Sequence, residues 1–256
     1  MPKLLNDPSY SKQGSFPKFI TQTDEKEVTL RYILDKLKEK YDSRDYKKFT
    51  FTDIGAGEGT LTLPIIQYLG KQTNLESYCI EPSSLIELLR KKCGPKVHYI
   101  QEGMEETDLP KSDFILIAHA MQYLQDRRKF AKSLKKALNP HGKILVVGAH
   151  RESDDLRFKR ELKPKKVLTG NEKPKENLFE YLEQEGFKIT REYLKSTINI
   201  SEAQRVRGVG KDIISFFYHK PFSEISNEEI RRFQELSRKF APDGKLTKLL
   251  QFIWVE

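Results

Sequence analysis

The sequence predicts an α/β fold, a doubly wound and mostly parallel sheet with a C-terminal antiparallel strand and a small helical insertion. Three observations predict it. Short β-rich runs alternate with helical segments between residues 49 and 148. A glycine-rich turn, Asp53-Ile-Gly55-Ala-Gly57-Glu-Gly59, joins the first of those runs to the helix after it. Beyond residue 150 the alternation stops, and two late strand-like runs enclose helical segments.

Each element follows from local pattern. Residues 1–22 mix proline, serine, lysine and aromatics and read as an irregular arm with a short helix. Tyr10, Phe16 and Phe19 in that arm read as packing groups, or else as an aromatic lid. Thr23 and Asp24 cap a helix running to about Tyr41, with Val28, Leu30, Ile33, Leu34 and Leu37 on one face. Strands are expected at Phe49–Ile54, Leu75–Ile80, Val97–Gln101, Asp113–His119 and Lys143–Gly148. Helices are expected between them at Thr60–Leu69, Ser83–Lys92 and Asp126–Leu138, the last ended by Asn139-Pro140-His141-Gly142. Residues 151–175 form a polar, basic insertion. A helix at Glu176–Glu185, a strand at Phe187–Ser196, helices at Ile213–His219 and Glu228–Phe240, and a final strand at Leu246–Val255 complete the chain.

The 256 residues carry a formal charge of +9, with 32% charged and 37% hydrophobic residues. Such a surplus attracts polyanions through the summed field. The positive charge is spread over many segments, and no aromatics alternate with it, so a stacking platform for bases is not expected. No apolar stretch approaches the roughly 20 residues needed to cross a bilayer. The N-terminal residues show no apolar signal region, so a cytoplasmic location is expected. Cys79 and Cys93 are not at a metal-ligand spacing, and no metal site is expected.

The glycine turn is the most informative segment. Its glycines let the backbone turn tightly and approach a ligand closely. A dinucleotide-binding turn wants G-x-G-x-x-G, whereas here the spacing is G-x-G-x-G with Thr60 in the third place. Asp53, at the strand end, would repel a pyrophosphate and suit a cationic ligand. Glu81 ends the second strand, where ligands of doubly wound sheets lie. A carboxylate there can accept hydrogen bonds from two ribose hydroxyls.

These residues resemble motif I and the acidic second-strand position of the class I methyltransferases. The resemblance covers roughly residues 25–150 and implies a Rossmann-like fold with S-adenosylmethionine as cofactor and S-adenosylhomocysteine as product. Residue by residue, it implies a cofactor site made of Asp53, Gly55, Ala56, Gly57, Gly59, Glu81, Pro82, Gly103, Met104, Ala118 and His119. Ile80-Glu-Pro-Ser83, Asp113–Tyr123, Tyr193–Ser201 and Phe252–Glu256 are similar to the histamine N-methyltransferases. That narrower likeness implies catalytic or substrate-contacting roles for Glu25, His119 and Tyr123. It also places Lys248 where an asparagine helps to hold the substrate amine. Lys248 would repel an ammonium substrate and favour an anionic or neutral one.

The implied chemistry is an in-line displacement in which alignment of the reacting atoms, roughly 3–3.5 Å apart, dominates. An amine must be neutral to attack, and His119 or Glu25 would accept its proton. His119 also reads as an ordinary histidine at a strand end, and Tyr123 as a core aromatic. The expected whole is a single methyltransferase domain over residues 1–256. Residues 1–48 are its arm and first helix, 49–150 its cofactor-binding core, and 151–256 a C-terminal part whose insertion covers substrate. Its expected partner is a small-molecule acceptor methylated at an amine nitrogen, and it is expected to be a monomer with no membrane contact. The alternatives are an RNA or protein methyltransferase using the basic surface, and a binding protein that has lost turnover.

Overall fold

The computed structural model describes residues 15–41, 47–162 and 178–256. Tyr10 and residues 163–175 of the basic insertion lie outside the described residues. In chain order the helices are α1 (Ser15–Ile20), α2 (Glu25–Tyr41), α3 (Thr62–Leu69), α4 (Ile86–Cys93), α5 (Arg127–Ala137) and α6 (Asp154–Leu162). They continue with α7 (Leu178–Gln184), α8 (Ser201–Gln204), α9 (Gly210–Tyr218) and α10 (Asn227–Phe240). The strands are β1 (Lys48–Ile54), β2 (Asn74–Ile80), β3 (Val97–Ile100), β4 (Ser112–Ala118), β5 (Leu138–Ala149), β6 (Ile189–Asn199) and β7 (Lys245–Val255).

They form one seven-stranded sheet in the order β3-β2-β1-β4-β5-β7-β6. Pairing is parallel from β3 through β5. Lys188 and Glu256 exchange both backbone hydrogen bonds just beyond β6 and β7, the signature of antiparallel neighbours. The observed architecture is therefore the predicted one: Rossmann-like and mostly parallel, with a C-terminal antiparallel strand.

The chain folds as two compact units. The larger comprises Lys26–Gly148, Pro174–Tyr193 and Gln251–Glu256. Its central strands β1 and β4 are buried on both faces, as strands sandwiched between helix layers must be. Phe51 stacks on Phe114 at 5.5 Å, and Phe114 lies 6.0 Å from Trp254. The Trp254 indole N–H donates to the Tyr32 hydroxyl at 2.8 Å, which satisfies its one polar atom inside the core. Helix α5 is capped by Asp126, whose carboxylate accepts the Lys129 N–H at 2.8 Å. It buries Phe130, Ala131, Leu134 and Ala137.

The smaller unit comprises Met1–Glu25, Ala149–Lys173 and Leu194–Leu250. Its core is aromatic. Phe158 meets Phe217 and Phe233 edge-on at 5.0 and 5.1 Å. Phe19 stacks on Phe216 at 3.9 Å, and Phe16 lies 5.7 Å from the same ring. Both arm aromatics therefore take the packing role, because burying them here removes their apolar surface from water. Helix α10 begins with a full capping box between Ser226 and Glu229.

Several elements differ from those expected. The helix predicted from Ser83 starts at Ile86, because Ser83 is held in a turn. The Ser83 N–H donates to Glu81 and its hydroxyl accepts the Leu85 N–H, bonds that compete with helix formation. The fifth strand starts at Leu138, five residues early, with an irregular register where it passes Ser112. A β-carbon on Gly142 would lie 2.8 Å from the Ser112 carbonyl, so only glycine permits that close approach. Helix α8 is four residues long, too short for an apolar period to announce it.

Candidate functional site

Register brings the candidate residues to one edge of the larger unit. Ile54 at the end of β1 pairs with Ile80 at the end of β2 and with Ile117 near the end of β4. Gly55, Glu81 and, one residue further on past Ala118, His119 therefore emerge at the carboxyl ends of three adjacent parallel strands. Ile100 at the end of β3 pairs with Ile80, which brings the turn containing Gly103 and Met104 to the same edge.

The glycine turn is shaped by its backbone. Gly55, Gly57 and Gly59 have φ of 77°, 56° and 80°. The Gly55 and Ala56 N–H groups both donate to the Ile80 carbonyl, at 2.8 and 3.2 Å. A β-carbon on Gly55 would lie 2.5 Å from the Ala120 β-carbon, and one on Gly59 would lie 2.5 Å from Leu89 Cδ1. Gly57 differs, since a β-carbon there would meet nothing within 4 Å. Two glycines are thus needed for packing against the protein itself, and the third faces open space.

Glu81 is held at that turn. Its carboxylate accepts the Gly57 N–H at 2.9 Å and the Ser83 N–H at 3.0 Å, and the residue is 7% exposed. An ionised carboxylate offers about four lone-pair sites, so two backbone donors leave acceptor capacity for ligand hydroxyls. Pro82 is half-buried beside it. Gly103 accepts the Glu106 and Thr107 N–H groups in a tight turn, and the half-buried Met104 packs on the main core.

Asp53 departs from expectation. Its side chain does not lie open to a ligand: the residue is 2% exposed, and its carboxyl accepts the Thr62 hydroxyl at 2.6 Å. Burial pushes its pKa up to about 7, against the Thr62 hydrogen bond, with the Glu81 charge adding to the rise. Asp53 therefore ties the end of β1 to the first residue of α3. Thr62 was missed in the sequence, where a hydroxyl nine residues downstream gives no signal of its own.

His119 follows Ala118, the last residue of β4, and takes φ of 55°. Its N–H donates to the Val147 carbonyl at 2.9 Å, and its carbonyl accepts the Gln122 side-chain amide at 2.6 Å. A non-glycine residue in the left-handed region stores strain that its surroundings must enforce, and such strain concentrates at functional sites. Tyr123 ends a short 3-10 turn and packs, partly buried, against the main core, which supports its reading as a core aromatic.

Glu25 belongs to the smaller unit and is not free to act as expected. The Lys248 ammonium donates to its carboxylate at 2.5 Å, with the two side chains 14% and 9% exposed. Lys248 is accordingly not the unpaired cation that the sequence suggested. The two residues stand 223 positions apart, so no local pattern could have announced the pair.

The residues of the turn fit S-adenosylmethionine. Gly57 leaves room for a ligand against the backbone, and Glu81 presents an anchored acceptor whose carboxylate disfavours a phosphate. Comparison with known proteins agrees. Residues 52–144 match the family described as a methyltransferase domain. The chain is 26% identical over 152 aligned residues to the ubiquinone/menaquinone biosynthesis C-methyltransferase UbiE of Vibrio campbellii, covering 48% of this chain and 58% of that enzyme. It is 29% identical over 102 residues to the enzyme of that name in Vibrio parahaemolyticus, covering 37% and 39%. The chain thus spans about two fifths to three fifths of the length of these curated relatives. Among solved structures, YcgJ of Bacillus subtilis aligns with TM-score 0.57 at 12% identity, over 90% of this chain and 97% of that one. BH2331, a proposed methyltransferase of Bacillus halodurans, aligns with TM-score 0.56 at 13% identity, over 87% and 97%. These two likenesses speak to the fold alone. The residues matched by the methyltransferase-domain family, 52–144, include the glycine turn, Glu81, Gly103, Met104 and His119.

Proposed function

We propose that this chain, acting as one methyltransferase domain, transfers a methyl group from S-adenosylmethionine to a small-molecule acceptor, at an amine nitrogen. The observation that carries the reading is the meeting, at one sheet edge, of an open glycine turn, the anchored Glu81 carboxylate and the strained His119. Bound there, S-adenosylmethionine supplies an electrophilic methyl carbon on a sulfonium. Glu81, fixed by the Gly57 and Ser83 amides, accepts hydroxyls of the ligand without having to reorganise. Gly57 lets the ligand lie directly on the backbone.

His119 is the proposed proton acceptor. A neutral imidazole at the carboxyl edge of β4 takes the proton that an attacking amine must shed. Glu25, held by Lys248, has no part in the proposed proton transfer. Because that pair is neutral as a unit, Lys248 does not dictate the charge of the acceptor. The choice of nitrogen rests on the likeness of residues 80–83, 113–123, 193–201 and 252–256 to histamine N-methyltransferases. A second reading, methylation at carbon, is favoured by the name of the UbiE relatives. His119 would serve it equally, by deprotonating an acidic carbon nucleophile.

Titration calorimetry with S-adenosylmethionine tests the cofactor site. Saturable binding is expected, with loss on Gly57→Arg, which fills the open space, and on Glu81→Ala. Unaltered binding in both variants would refute the assignment. Incubation of a metabolite extract with methyl-labelled donor, then identification of the labelled product, separates nitrogen from carbon.

A further inference from the structure

The glycine turn contains one side chain that the proposed chemistry does not use. Glu58 lies between Gly57 and Gly59, two residues at positive φ that are free to take many other conformations. Its carboxylate is gripped from two helices. Lys26, in the first turn of α2, sits 3.4 Å from one oxygen, and Lys92, near the end of α4, sits 3.0 Å from the other. Lys26 also donates to the Thr60 hydroxyl at 3.1 Å, and that hydroxyl donates to Glu58 at 3.2 Å. The two cations hold the Glu58 carboxyl below its usual range, against the desolvation that opposes this. The same helix α4 meets the turn at Gly59, where Leu89 occupies the space a β-carbon would need.

We infer that Glu58 is a positioning residue for the cofactor turn, clamping it in its ligand-ready shape through Lys26 and Lys92. This deepens the cofactor reading above and rests on it. The physical need is plain. Three glycines at positive φ shape the turn, but each also permits alternatives that bind nothing, and every alternative populated weakens apparent affinity by the fraction it takes. Hydrogen bonds from Gly55 and Ala56 to Ile80 pin the first half of the turn. The Glu58 clamp pins the second half, one residue past the open Gly57. Since all three charged side chains are about two fifths exposed, the clamp acts on local shape and contributes little to global stability.

The test uses the full chain and the variants Glu58→Gln, Lys92→Met and their double. Amide hydrogen exchange of residues 57–60 is measured without ligand, and S-adenosylhomocysteine binding is measured by calorimetry. Each single variant is expected to speed exchange and weaken binding by roughly three- to tenfold, and the double by no more than Glu58→Gln alone, which already releases both lysines. Raising salt to about 0.5 M should carry the wild type towards the variants. Wild-type exchange rates in Glu58→Gln, or strictly additive losses in the double, would overturn the clamp. So would a fall of more than about 5 °C in the melting temperature of Glu58→Gln, which would make the role global. A wild-type chain that ignores S-adenosylhomocysteine would refute the cofactor reading instead, leaving the exchange measurement to judge the clamp.

Discussion

Burial of Asp53 makes a quantitative prediction about pH. Its carboxyl, ordinarily titrating near 3.8, is pushed up to about 7 by desolvation beneath the glycine turn. A carboxyl displaced that far corresponds to about 4 kcal/mol, at 1.36 kcal/mol per pKa step. The sign follows from linkage. Below pH 3.8 the group is protonated in both folded and unfolded chains and costs nothing. Between 3.8 and about 7 the unfolded chain ionises first, so folding stability falls as pH rises, and above 7 the loss is complete. A little over a third of this is gone by pH 5 and the rest is lost between pH 5 and 8. Glu58, Glu76, Glu229 and Glu256 titrate below their usual range, so their stabilising contributions are lost only as pH falls below about 4.5 and stay outside this window. Asp53→Asn keeps an acceptor for the Thr62 hydroxyl and cannot ionise. Urea unfolding of wild type and variant at pH 5, 6, 7 and 8 should show the variant gaining about 2–3 kcal/mol relative to wild type across the series. A stability difference that does not change with pH would refute the argument that Asp53 is buried and reluctant to ionise.

Three further outcomes are expected. His119→Gly should leave thermal stability unchanged or raise it, by up to about 1–2 kcal/mol of relieved left-handed strain, while slowing methyl transfer by roughly 10²–10⁴-fold; a destabilised variant with full activity would contradict both parts. Gly55→Ala should destabilise more than Gly57→Ala in chemical denaturation, because the first meets Ala120 at 2.5 Å and the second meets nothing, so that Gly57→Ala costs only the strain of its φ, about 1–2 kcal/mol. Glu25→Gln or Lys248→Met alone should cost about 3–5 kcal/mol by stranding a buried charge, and the double variant should recover much of it; equal losses in singles and double would show that the pair is not coupled.

Much of this protein was legible before folding was considered. Phe49–Ile54 announces itself by β-forming Phe, Thr and Ile, the run within Asp113–His119 by continuous apolar residues, and the glycine turn by residues that tolerate positive φ. Asp126 and Ser226 each cap a helix through the N–H three residues on, although the reading of the sequence did not single them out. Such features depend on neighbours a few residues away, so the sequence contains the whole cause.

What only the tertiary structure decided is where charges go once the strands lie side by side. Asp53 reads as a ligand-facing carboxylate and is instead buried, accepting the hydroxyl of Thr62 at the start of α3. Lys248 reads as an unpaired cation and meets Glu25, while Glu58, unremarked among its glycines, gathers Lys26 and Lys92 from two helices. His119 takes a left-handed backbone, a conformation that the residues around it in sequence do not announce. Coulombic and desolvation energies depend on distance and burial in space, and separation along the chain carries neither.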